Sequence, residues 1–409
     1  MPESHDISGF AYVEGGVVAP RGFLASGVAA GLKSRGKRDL ALIATAEPVP
    51  AAAVFTTNLV AAAPVVVSRR HIAGGTARAV VINAGNANAC TGAQGEHDAH
   101  AMTVAVAGAL ECLPEHVIVS STGVIGVSLP VTLIVAAIPQ AVAELSDASG
   151  HHSAEAVMTT DTFLKETAVT FDVGGRRFAV GGMAKGSGMI APNMATMLAV
   201  LTTDAPLTNE ACDAALRTAV ATTFNRVTVD SDTSTNDMAV LMASGEAGGQ
   251  PIGVGDPGYA SVAGAVHAVA RALARMIARD GEGATKLITV KVAGAASEAD
   301  AELAAFSIAN SPLVKTAVFG RDANWGRVAM AIGKSGAQVD PRAFDITFAG
   351  IEVCHAGSAV PFDEAEALAA LSEVDVDIAV DLHVGAGAAT VWTCDLTYDY
   401  VRINGEYRS

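Results

Sequence analysis

A small hydroxyl residue, Thr196, stands where the glycine-rich, proline-containing loop KGSGMIAPNMA (residues 185–195) runs into the almost wholly apolar TMLAVLTTDA (196–205). Two readings fit this seam. In the first, Thr196 begins a buried strand, where a β-branched residue packs well. In the second, its hydroxyl attacks the carbonyl of Ala195, water hydrolyses the resulting ester, and Thr196 becomes the first residue of a new chain. A terminal threonine carries its own general base, because an α-amine titrates at about pH 8, beside the hydroxyl it must activate. Upstream, HVIVSSTG (116–123) closes a β-branched run on Ser-Thr-Gly. Such an ending can aim the Thr122 hydroxyl and the backbone at Gly123 at one point, as an oxyanion hole requires, or it can form a tight turn. Taken alone, Lys185 and Glu282 read as solvated charges.

Other chemistries fail on spacing. AIGKSG (331–336) looks like the end of a phosphate-binding loop, but the first glycine of that motif falls on Val328, which leaves a helix-ending turn. The acidic DSDTSTND (230–237) has Thr235 and Leu241 where a calcium loop needs Gly and Glu. His97 and His100 can share a helix face but lack an evident third metal ligand. Neither Ser187 nor Ser335 sits in G-x-S-x-G. The five cysteines are scattered and unpaired in sequence, which indicates neither a disulfide framework nor a zinc ribbon.

The elements that must hold these residues are those of a large layered protein. A chain of 409 residues has ample interior for two or three domains or one layered unit. Hydrophobic residues make up 51% and mean hydropathy is +0.38, but no uncharged apolar run reaches the length of a membrane span. The first ten residues lack the basic start and apolar core of a secretory signal, so a cytoplasmic chain is expected. A net charge of −16 without a lysine or arginine run argues against nucleic acid and for small-molecule partners. ARAVVINAG (77–85), HVIVSSTG and RVTVD (226–230) read as buried strands. Val262, Val266, Val269, Leu273, Met276 and Ile277 recur at helical spacing over 259–280. Ser297 and Asp300 have capping-box spacing. Residues 374–384 alternate apolar with polar and then turn at GAGA into ATVWTCDL, the pattern of an antiparallel hairpin with one wet face. TYDYVRI near the end looks strand-like. Helices mixed with parallel-looking and hairpin strands predict an α/β protein of mixed layers.

The seam, together with NAGNANACTG (83–92), STGVIG (121–126), MTTDT (158–162), STND (234–237), GEGATK (281–286) and KTAVFGRDANWGR (315–327), closely resembles the ornithine acetyltransferase family of arginine biosynthesis, from about residue 8 to the C-terminus. The resemblance implies a precursor that cuts itself between Ala195 and Thr196 into chains 1–195 and 196–409. It also implies a stacked helix/sheet sandwich like that of N-terminal-nucleophile hydrolases with different connectivity, plus a smaller C-terminal α/β portion from about residue 285. Thr196 is then the nucleophile of a ping-pong transfer of acetyl from N2-acetylornithine to glutamate, Thr122 and Gly123 form the oxyanion hole, and Thr159, Lys185, Thr196, Glu282, Asn404 and Ser409 match substrate-binding positions. No metal or organic cofactor is implied, acetyl-CoA is a second candidate donor, and two copies of each chain are expected to assemble. A self-cleaving amidase or aminopeptidase of related architecture, delivering the acyl group to water, is the alternative.

Overall fold

The computed structural model describes residues 10–191 and 197–406. Its strands are β1 (Ala11–Val13), β2 (Leu24–Val28), β3 (Leu40–Phe55), β4 (Thr76–Asn86), β5 (Val117–Val124), β6 (Lys165–Val173), β7 (Arg176–Lys185), β8 (Leu198–Thr203), β9 (Met238–Ala243), β10 (Leu287–Ala295), β11 (Asp345–Phe348), β12 (Ile351–His355), β13 (Ser358–Ala359), β14 (Asp375–Asp381) and β15 (Gly387–Cys394).

The long strand β3 organises the first unit. Its first half pairs with β2 and β4, its last five residues pair with β9, and the register breaks between Ala44 and Val49. The strand order β1-β6-β7-β8-β9-β3-β4-β5 therefore folds back on itself. Side-chain alternation shows how the layers stack. On β3, Ala41 and Ile43 face the same core as Leu198 and Val200 of β8 and Met238 and Val240 of β9. Leu40 and Leu42 point the other way, toward Met102, Val106, Ile134 and Ile138 of the helices Gly92–Leu110 and Val131–Ala143. Ala199 and Leu201 of β8 face the helices Asn209–Thr222 and Tyr259–Arg279. The result is helix, sheet, sheet, helix. Strands covered on both faces read as unbroken apolar runs, which is why ARAVVINAG and LAVLTT lack polar alternation. The expected stacked sandwich of mixed α and β is borne out.

The second unit is the six-stranded sheet β13-β12-β11-β14-β10-β15, with a core of its own under the helices Glu298–Ala309, Pro312–Phe319 and Trp325–Gly333. Ser297 caps the first of these helices, accepting the Asp300 N–H at 3.1 Å and donating to its carboxylate at 2.9 Å. Among the described residues one helix, Tyr259–Arg279, is long and apolar enough to cross a membrane; here its apolar stripe, Val262 to Ile277, is buried in the first unit's core.

Three sequence expectations change. β14 does alternate, with Val376, Ile378 and Val380 buried, but it forms no hairpin with β15. β10 lies between them, parallel to β14 and antiparallel to β15, because the GAGA connection crosses the end of β10 rather than folding back on β14. RVTVD is not a strand. Arg226 ends a short 3-10 turn, and the next backbone groups reach outward, Thr228 N–H to the Trp392 carbonyl and Val229 N–H to that of Ile190. TYDYVRI belongs to the helix Tyr398–Glu406, favoured by Asp399 in its first turn and by an Arg402 to Asp399 pair at 3.0 Å.

Candidate active site

The site gathers at the ends of β5 and β7. β5 runs parallel to β4, and the close approach at their ends requires glycine. Gly123 has φ +133°, and a Cβ there would lie 2.3 Å from the carbonyl carbon of Gly85 and 2.5 Å from the Asn86 nitrogen. Thr122, directly before it, is buried. Lys185 ends β7, is also buried, and donates from Nζ to Thr122 Oγ1 at 3.4 Å. Thr122, Gly123 and Lys185, picked out in sequence, are thus neighbours in space.

Below them lies a network of charges, all buried. Asp161 accepts hydrogen bonds from Thr159 N–H (2.9 Å), Lys165 Nζ (2.7 Å) and Gly186 N–H (2.7 Å). Lys165 also donates to Asp280 Oδ2 at 2.5 Å, and Asp280 holds the backbone N–H and hydroxyl of Thr162. One buried ammonium therefore joins the turn carrying Thr159, the strand end carrying Lys185 and the helix end that leads to Glu282. Burial alone would raise the Asp161 carboxyl, but the charges of Lys185 and Lys165 and the hydrogen bonds outweigh it and hold the group well below the usual carboxylate range. Lys185 is pushed down, first by burial and also by Lys165, while Asp161, Glu282 and Asp237 pull the other way. A lysine lowered in this way gives up its proton more readily than a surface lysine does.

The fourth side is closed by Glu282. Its N–H donates to the Ser187 carbonyl at 2.8 Å, and its carboxylate lies over Gly188, where an added Cβ would come within 2.4 Å of it. Asn404, on the C-terminal helix, donates from Nδ2 to Glu282 Oε2 at 2.8 Å. Thr160 and Ser187 share a hydroxyl hydrogen bond at 2.6 Å. Thr159 is half-buried on the turn that Asp161 pins. Ala195, Thr196 and Ser409 lie outside the described residues. Met197, the residue after the seam, donates its N–H to Asp237 Oδ1 at 2.9 Å.

Sequence reasoning did not single out Lys165, Asp161, Asp280, Asn236 or Asp237. Asp161 and the Asn236, Asp237 pair fall inside MTTDT and STND, but nothing in those stretches marks which side chain is buried. Lys165 opens an ordinary alternating strand, and its second partner is 115 positions away.

Residues 24–409 match the ArgJ family. The arginine biosynthesis bifunctional protein ArgJ of Symbiobacterium thermophilum is 53% identical over 97% of this chain and 100% of its own length. Among solved structures, the arginine biosynthesis bifunctional protein ArgJ of Bacillus halodurans is 48% identical with a TM-score of 0.49, over 50% of this chain and 97% of that one. Ornithine acetyltransferase of Mycobacterium tuberculosis, solved with ornithine, is 43% identical with a TM-score of 0.42, over 45% of this chain and 98% of that one.

Proposed function

We infer the reaction from one premise: the chain belongs to the ArgJ family. It is an acetyltransferase of arginine biosynthesis, moving acetyl from N2-acetylornithine to glutamate. We assign as the second activity in the name "bifunctional" the acetylation of glutamate from acetyl-CoA. We further propose that the chain matures by cutting itself between Ala195 and Thr196, that the two fragments stay together, and that two copies of each assemble in the cytoplasm.

Thr196 Oγ attacks the acetyl carbonyl carbon, and the charge that develops on oxygen is taken by the Thr122 hydroxyl and the backbone N–H at Gly123. The α-amine of Thr196 accepts the hydroxyl proton and passes it to the departing ornithine nitrogen. The acetyl group waits on Thr196 until the glutamate amine displaces it. Lys185 pairs with the α-carboxylate that both substrates carry, and Glu282, its carboxylate oriented by Asn404, receives the ornithine ammonium. Thr159 and Ser409 complete the substrate contacts. No cofactor enters these steps.

The observation that supports this reading best is the hydrogen bond between Lys185 and Thr122, which joins a substrate-binding group to an oxyanion donor across 63 positions of sequence. Intact-mass analysis of purified protein tests it. Two fragments are expected, the second starting TMLAVLTTDA, with acetyl trapped on that fragment after acetylornithine is added without glutamate. A single chain in both wild type and Thr196→Ala rules the maturation out, and release of free acetate at the same rate with or without glutamate makes the protein a hydrolase.

A further inference from the structure

Two aspartates pin the glycine-rich turn of the site, one at each end. Asp161 takes the Gly186 N–H at 2.7 Å, next to Lys185. At the far end Asp230, the first residue of the acidic DSDTSTND, accepts the Met189 N–H on Oδ2 at 2.6 Å and the Ile190 N–H on Oδ1 at 2.8 Å. The backbone locks the same segments from the other side, since the Val229 N–H donates to the Ile190 carbonyl at 2.8 Å. Met189 needs such a hold. Its φ of +58° lies in the left-handed region, which a residue with a Cβ keeps only where its surroundings hold it there.

Between the two pins lies the seat of Glu282. The Ser187 carbonyl accepts the Glu282 N–H at 2.8 Å, and the Glu282 carboxylate lies over Gly188, where a Cβ would meet it at 2.4 Å. The second support of Glu282 is Asn404 on the C-terminal helix, and one turn earlier on that helix Tyr400 donates its hydroxyl to Asp230 Oδ2 at 3.5 Å. The turn and the helix that orient Glu282 therefore meet at Asp230. Lys185 is held differently, by the pairing of β7 with β8 and by the grip of Asp161 on Gly186.

We propose that Asp230 is a positioning residue for the half of the site that selects a cationic side chain, an inference that rests on the assignment of Glu282 to the ornithine ammonium. The α-carboxylate that acetylornithine and glutamate share goes to Lys185, whose support does not pass through Asp230. The side-chain ammonium belongs to acetylornithine alone, and the carboxylate that receives it is seated on the turn that Asp230 holds. Loosening that turn weakens the binding of one substrate and spares the other.

Asp230→Asn keeps the size of the side chain but offers one acceptor oxygen where two N–H groups point, and turns its own amide N–H toward the other. KM for each substrate is measured in acetylornithine–glutamate exchange for wild type, Glu282→Gln, Asp230→Asn, and Asp230→Asn combined with Met189→Gly. Asp230→Asn is expected to raise KM for acetylornithine roughly tenfold, the loss of about one hydrogen bond passed on to the ligand, with KM for glutamate unchanged. Glycine takes the left-handed conformation without strain, so the double variant recovers part of the loss, and it also answers the question where the single variant folds poorly. A general structural support would raise both constants together, and a direct pull of the Asp230 charge on the ammonium would not be relieved by Met189→Gly. Either result overturns the inference, as does an unchanged KM for acetylornithine in Asp230→Asn while Glu282→Gln raises it; in all three cases Glu282 keeps its assignment. If Glu282→Gln itself leaves that KM unchanged, the assignment of Glu282 fails and this role with it.

Discussion

Replacing Lys165 by methionine tests whether the buried charge network holds the site together. The Lys165 ammonium is fully shielded, 2.7 Å from Asp161 and 2.5 Å from Asp280, both of which are shielded as well. At an effective dielectric near 20, each contact is worth about 6 kcal/mol of attraction. Most of that is offset by the cost of taking three charges out of water, so the pairs add little net stability over an apolar cluster. Removing only the cation is different, because two buried carboxylates lose their partner, and the loss expected is about 3–5 kcal/mol. For a chain of this size that corresponds to a melting temperature lower by roughly 3–6 °C. The pH dependence gives a second check. Asp161 is held below its ordinary value of 3.8 in the folded protein, so its contribution is present above that value and is lost as pH falls through the folded one. In Lys165→Met the Asp161 carboxylate loses one of the two ammonium charges that hold it down, so less of that contribution remains to be lost as pH falls. The gap between the two proteins is therefore widest at neutral pH and narrows below about pH 5. Thermal scans of both proteins at pH 7 and pH 4.5 decide the matter. A variant within 1 °C of wild type at pH 7, or a gap of the same size at both pH values, refutes the reasoning, taking 1 °C as roughly the scatter of such scans and far below the expected shift.

Three further outcomes follow from the site geometry. Gly188→Ala places a methyl group 2.4 Å from the Glu282 carboxylate; steady-state kinetics should show a higher KM for acetylornithine, and an unchanged KM removes Glu282 from substrate binding. Thr122→Val keeps the shape of the side chain but loses a hydroxyl donor, so kcat should fall by roughly 10²-fold with the two-fragment pattern retained; normal turnover excludes Thr122 from the oxyanion hole. Asn404→Ala takes away an exposed hydrogen bond to a charged group, worth about 1.5 kcal/mol, enough for roughly a tenfold rise in KM for acetylornithine; kinetics identical to wild type leave the C-terminal helix without a part in binding.

The strands β4 and β5, the amphipathic helix Tyr259–Arg279 and the Ser297 cap were legible because their signals are local: unbroken β-branched runs, a 3.6-residue period and a hydroxyl three residues before an acidic group. The partner of β14 was not legible, because alternation tells which face is wet and carries no information about which strand lies alongside. The C-terminal helix was misread because tyrosine and valine suit strands, while the ion pair that favours the helix needs a three-residue spacing to be noticed. In the site, Thr122 and Gly123 close a recognisable strand, but Lys165 and Asp237 became visible only when distant segments met. A buried charge has no signature in sequence apart from the partner that makes it tolerable.

β7 and β8 pair antiparallel from Val180 with Thr203 to Lys185 with Leu198, near the middle of the nine-stranded sheet, and the proposed cut falls in the connection between them. Maturation would then leave the two halves zipped edge to edge, with β9 of the second half also paired to β3 of the first. Dissociation would require tearing open a sheet whose two faces are both covered. Renaturation after such a separation becomes a meeting of two molecules, second order in concentration, whereas the uncut precursor folds as one. The connection that makes assembly easy would be present only once, during the first folding, and a mature protein that has lost its shape would have to find it again without that link.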